Sequence, residues 1–171
     1  MAIRKSQPPK KSPTFTSAEV RWITGATIMQ VNHWDRLGIA RPSIRSARGA
    51  GSRRLYSADD LAAVAIAGRL RSMNIGLKCL RSAMRRIREL WPVLTEAPSD
   101  ALVVICHDGT CRRLADGANV RELLYGDGVG ILLDVGRSIA ATRTRLRTET
   151  PAPTTPPTGE RPHASTWGED W

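Results

Sequence analysis

The sequence predicts a mainly α fold with a small β component: a winged helix-turn-helix followed by a small α+β unit. Three observations carry this expectation. Two capping-box signatures, Thr16 with Glu19 and Thr27 with Gln30, stand on either side of Gly25. A glycine-tipped stretch rich in arginine, residues 41–61, runs out of one helical segment into the next. Beyond Pro92 the pattern changes to short apolar runs around an Asp108-Gly109 turn.

The elements follow in order. Residues 1–14 are rich in Lys, Pro and Ser and read as a disordered basic tail. Thr16 opens a short helix with Val20 and Ile23 inside, and Gly25 breaks it. Thr27 opens a second helix, expected to run to Leu37 and stop at Gly38, with Ile28, Val31, Trp34 and Leu37 as its buried stripe. Met29, Asn32, His33 and Arg36 then fall on the other side. Pro42 forces extension, Gly49-Ala50-Gly51 supplies a loop tip, and residues 53–56 return as a strand. Ser57 caps a third helix over 58–72, with Asp59 and Asp60 in its first turn and Leu61, Val64, Ala65 and Leu70 inside. Asn74-Ile75-Gly76 turns the chain into a fourth helix over 77–91. Its inner positions are Leu80, Met84, Ile87 and Trp91, and Pro92 is expected to end it.

A linker over 92–100 leads to the second unit, 101–146. There, strands over 102–106 and 110–114 flank Asp108-Gly109, a helix covers 119–125, a strand 129–135 and a last helix 137–146. A core this small is marginal alone, so the unit is expected to pack against a second copy or against residues 15–91. Residues 147–171 read as a disordered Pro/Thr-rich tail.

Charge is distributed unevenly. Residues 1–91 hold 18 Lys/Arg against 5 Asp/Glu, a net of +13, whereas residues 92–171 hold 8 against 11, a net of −3. A polyanionic partner for the first half explains this asymmetry; a generally basic soluble surface is the plainer alternative. No apolar run reaches the ~20 residues of a membrane span. With no export signal, three cysteines fit a reducing cytosol, and the expected location is the bacterial cytoplasm, on the nucleoid.

Three stretches, FTSAEVRWITGA, QVNHWDRLGIARPS and GSRRLYSADDL, together resemble the DNA-binding domain of the MerR family of bacterial transcription regulators. The likeness covers about residues 15–91, and its three motifs stand in order. It implies that the second helix enters the major groove while the hairpin wing holds the backbone. It places Met29, Gln30, Asn32 and His33 on the groove-facing surface with Arg36 at its flank, and Trp34 at an aromatic position of the helix. Arg53 and Arg54 match the basic positions of the wing strand, Arg54 being the closer match to a phosphate-contacting arginine. Asn32-His33 stand where many relatives have Arg-Tyr, which shifts backbone contact toward the wing. No long dimerising helix follows the fourth. Residues 101–146 instead resemble the short C-terminal unit of an actinobacterial subgroup.

The resulting DNA-binding set is Thr27, Met29, Gln30, Asn32, His33, Arg36, Arg45, Arg48, Arg53, Arg54 and Tyr56. Asn32 and Gln30 can each pair bidentately with adenine, worth ~1–3 kcal/mol of discrimination, or they can simply solvate the helix. A two-residue turn at Asp108-Gly109 would set Cys106 across from Cys111, at a spacing somewhat wider than a usual disulfide but near it, which suits a redox switch or a soft-metal site; the alternative is two small core residues. Cys79 reads as packing. No phosphate loop, metal-ligand cluster or nucleophile elbow occurs, so the chain is expected to be no enzyme, with no cofactor, metal or catalytic residue. Gly126-Asp127-Gly128-Val129-Gly130 precedes a strand, the reverse of a dinucleotide-binding order. The expected partners are double-stranded operator DNA, a second copy of the chain, RNA polymerase and a small-molecule effector. An excisionase-like architectural role and a protein-interaction module are the competing readings.

Overall fold

In the computed structural model, residues 13–47, 52–97, 101–106, 108–114 and 130–149 are described. Residues 1–12 and 150–171 of the expected tails, the wing tip with Arg48, His107 and the helix over 119–125 lie outside the described residues, as does most of the glycine-rich loop before 130; residues 147–149, expected in the tail, are helical instead.

Helices α1 (Ser17–Thr24) and α2 (Ile28–Leu37) begin where the sequence places them, because local side chains satisfy their first amides. The Thr16 hydroxyl accepts from the Glu19 amide, and the Thr16 amide donates 2.6 Å to the Glu19 carboxylate. At α2, Thr27 and Gln30 make the same exchange at 2.9 and 3.1 Å. Each such cap typically contributes about 1 kcal/mol. Gly25 and Gly38 end the two helices in left-handed conformation, at φ 75° and 72°. In α2, Val31 and Trp34 are buried, whereas Ile28 and Leu37, expected inside, are half-buried at its ends.

Helix α3 (Ala58–Ser72) matches its expected bounds and is capped by Ser57 with Asp60. It is buried on more sides than one stripe requires. Ala62, Ile66 and Ala67 join Leu61, Val64 and Leu70, while Ala65 is only half-buried. The cause is position: α1, α4 and the C-terminal helix all pack against α3.

Helix α4 runs Leu77–Glu96, so Pro92 does not end it. Proline removes one amide donor, but continued burial outweighs that loss. Leu94 is fully buried, extending the line of Leu80, Met84 and Ile87, while Trp91 is half-buried. The Thr95 hydroxyl also donates to the Trp91 carbonyl at 2.9 Å and to the Pro92 carbonyl at 3.0 Å.

Strands β1 (Leu102–Cys106), β2 (Cys111–Arg113) and β3 (Gly130–Asp134) form an antiparallel sheet in the order β2-β1-β3. The last helix, α5 (Val135–Glu149), starts directly from β3 rather than after a loop. Asp134 makes the junction: its carboxylate accepts from the Arg137 amide at 2.7 Å, in the manner of a helix cap. The buried apolar side chains form one continuous cluster from Phe15 through the helices to Val103, Ile105, Leu133 and Ile139. The second half thus packs against the first, one of the two arrangements expected. Among the described residues no helix is long and apolar enough to cross a membrane.

Candidate nucleic-acid interface

The turn at Gly25 sets α2 beside α1, and buried Val31 and Trp34 fix its inner side. Its outer side then carries Met29, 82% exposed, with His33 and Arg36 also exposed and Asn32 half-buried. These four stand at helical spacing and share a face.

The wing meets this helix through one arginine. Arg45 and Leu55 exchange backbone hydrogen bonds at 3.1 and 2.9 Å, forming the hairpin. Next to it, Phe15 and Tyr56 make an equivalent bridge that ties the wing strand to the residue before α1. Successive side chains of an extended strand point to opposite sides. Arg54 accordingly turns toward α2: its Nε donates 2.7 Å to Asp35 and its Nη1 donates 3.0 Å to the Asn32 side-chain oxygen. The Arg54 and Asp35 side chains keep 24% and 15% of their exposure, so solvent screens this pair less than a surface pair. Arg53 is exposed, and Arg45 is exposed with its Nε donating 3.0 Å to the Arg53 carbonyl.

These contacts revise the expected set. Tyr56 is 0% exposed and belongs to the core, where burial raises its phenol pKa; no DNA surface reaches it. Gln30 directs its side-chain oxygen to the Thr27 amide, so the acceptor needed for adenine is already engaged. Arg54 is held by Asp35 and Asn32 rather than presented as a free phosphate contact. Thr27 is exposed at the start of α2, its hydroxyl accepting from the Gln30 amide. Arg48 lies outside the described residues.

Two features escaped sequence reasoning. A cleft of about 380 Å³ lies between the first turn of α1 and the wing strand, lined by Thr16, Ser17, Ala18, Ser52, Arg53 and Arg54. Arg53 and Ser17 line it beside two engaged neighbours, Thr16 bound to Glu19 and Arg54 bound to Asp35 and Asn32. Its signal was the Ser17 hydroxyl beside the first cap. Trp22 is 62% exposed on α1, and the spacing of Val20 and Ile23, which leaves it off the buried stripe, was its signal.

The cysteine hairpin does not have the expected register. Cys111 pairs with Ile105, and the Cys106 amide donates 2.8 Å to the Thr110 carbonyl. The reversal has one residue more than a two-residue turn, with Gly109 at φ 86°. One step of register moves Cys111 to the opposite face from Cys106. Cys79, Cys106 and Cys111 form no disulfide, and burial pushes the Cys111 thiol up to about 12, leaving little thiolate at neutral pH. Cys106 and Cys111 therefore do not face each other across the hairpin as a redox pair would. No cluster of His, Cys, Asp and Glu suited to a metal ion occurs among the described residues.

No known family profile matches the chain. It is 42% identical over 67 residues to an uncharacterized HTH-type transcriptional regulator of Mycobacterium bovis. Uncharacterized HTH-type transcriptional regulators from two strains of Mycobacterium tuberculosis match it to the same extent. The matched stretch is 39% of this chain and 30% of each relative, so the chain spans less than a third of their length.

Proposed function

We propose that this chain is a DNA-binding transcription regulator of the MerR type, acting as a homodimer on a pseudo-palindromic operator. The observation that carries the reading is the Arg54 tie to Asp35 and Asn32, which supports a fixed spacing between wing strand and groove-facing helix. The charge concentrated in the first half and the HTH-type relatives point the same way.

In this reading α2 lies in the major groove. Met29 offers an apolar contact for a thymine methyl group, Asn32 and His33 offer polar contacts to base edges, and Thr27 and Arg36 flank them. The Asn32 oxygen already accepts from Arg54, so its amide is held in one orientation and presents its NH₂ group as donor. Arg45, Arg48 and Arg53 hold phosphates from the wing, with the α1 cleft beside Arg53 as a further phosphate seat. RNA polymerase is the partner through which a promoter-bound regulator acts. The second half supplies the dimer contact.

The test is binding of the full chain to a duplex recovered by a genome-wide binding map. A symmetric footprint at promoters is expected, whereas head-to-tail sites at a recombination locus would favour an architectural role. Neutralising about six to ten phosphates lowers affinity ~10³–10⁵-fold between 50 and 200 mM salt. A salt-insensitive complex, or none, overturns the reading.

A further inference from the structure

A cavity of about 470 Å³ lies between the root of the wing, the start of α3 and the second half of α4. Its volume is in the range of small-molecule sites, ~300–1,000 Å³. Ala63, Met84, Ile87 and Trp91 give it an apolar lining, and Arg41, Arg88 and Asp59 bring charge to it. Among the described residues neither arginine has a carboxylate partner. The Arg88 guanidinium reaches only the Ile39 carbonyl, at 3.5 Å, and Ile39 lies two positions before Arg41.

The acidic residues of the lining are unequal. The Asp60 carboxylate accepts from the Ser57 amide at 2.8 Å and from the Ser43 amide and hydroxyl at 2.8 and 2.7 Å. Those donors offset its charge, so it repels an anion less than its formal charge suggests. Asp59 is exposed. The unspent charge is therefore two guanidinium groups against one carboxylate, next to an apolar floor that includes an indole ring.

We propose that this cavity binds a small organic carboxylate with an apolar body, such as an aromatic acid. The body covers Met84, Ile87 and Trp91, and the carboxylate faces Arg41 and Arg88. Guanidinium recognition of a carboxylate is charge-assisted and geometrically matched, whereas a neutral amide of the same shape keeps only the apolar contact.

Calorimetric titration of the full chain, without DNA, tests this with three probes: 3-phenylpropionate, 3-phenylpropionamide and 3-phenylpropylamine. Because no DNA is present, the outcome is independent of the DNA-binding reading. The acid is expected to bind, and the amide and the amine at least about tenfold more weakly. The Arg41→Gln/Arg88→Gln double variant is expected to lose at least about tenfold for the acid, while Asp59→Asn binds it more tightly. All three positions are exposed, so both variants should remain folded at the titration temperature. The proposal is overturned if the amide or amine binds as well as the acid. It is equally overturned if the double variant binds the acid unchanged, if Asp59→Asn weakens it, or if no probe binds.

Discussion

The wing and the cysteine hairpin make an instructive pair. Both are antiparallel, and in both two side chains of interest sit near a reversal. In the wing, strand alternation divides adjacent arginines: Arg54 ties back to Asp35 and Asn32, and Arg53 stays exposed. In the hairpin, one residue of register separates Cys106 from Cys111 and leaves Ile105 opposite the second thiol. Chemistry shared by two residues means little until backbone parity says which side each one faces. The wing uses parity to give neighbours different tasks. The hairpin uses it to keep two cysteines apart.

The largest expected effect tests how firmly that hairpin register is held. A Cβ on Gly109 would stand 3.0 Å from Ser82 Cβ and 3.2 Å from the Cys79 backbone, at a positive φ. Gly109→Val should therefore cost about 2–4 kcal/mol, read as a lower urea midpoint at unchanged slope. A variant as stable as the parent would mean that the hairpin docks loosely on α4 and that its register is free to slip.

The wing arginines come next, because they should respond in opposite ways. Arg54→Ala should lower stability by about 1–2 kcal/mol, since it strands the partly buried Asp35. Arg53→Ala should change stability by less than about 0.5 kcal/mol, yet lower the salt slope of DNA binding by about 0.9, one phosphate contact. Equal effects on stability, or an unchanged slope for Arg53→Ala, would break the division of labour.

The smallest effect concerns the thiols. With Cys111 raised to about 12 by burial, native protein at pH 8 should be alkylated at Cys79, which is half-buried, well before Cys111. Cys111 favours the folded state below the ordinary thiol pKa of 9.0, and this contribution is lost as pH rises from there toward about 12. Denaturant midpoints for the parent and Cys111→Ser should converge over that window. Early labelling of Cys111 would show that β2 opens.

The helices of the first half were legible because their signals are local. Thr16, Thr27 and Ser57 each meet their partner three residues on, within one turn. Trp34 and Val31 lie on a helical period that requires no knowledge of the rest of the chain. What stayed hidden depends on distant residues. Pro92 reads as a stop until Leu94 is seen to be buried. Arg54 reads as a free cation until Asp35, far back in sequence, is found 2.7 Å away. Tyr56 follows two arginines closely in sequence, yet its backbone pairs with Phe15 and its ring is buried. Local rules find the elements and supply the candidates; tertiary contacts decide which candidates remain available.

Arg145 on α5 donates 3.0 Å to the carbonyl of Ile23, in the last turn of α1, across 122 positions of sequence. A carbonyl there has no amide partner within its own helix and benefits from a cation. On the ribosome, α1 is made long before α5. The opening helix must wait for this partner until the chain has emerged past Arg145. A release of the polypeptide anywhere before Arg145 leaves that wait unended, so synthesis of α5 is itself a step in finishing the first helix.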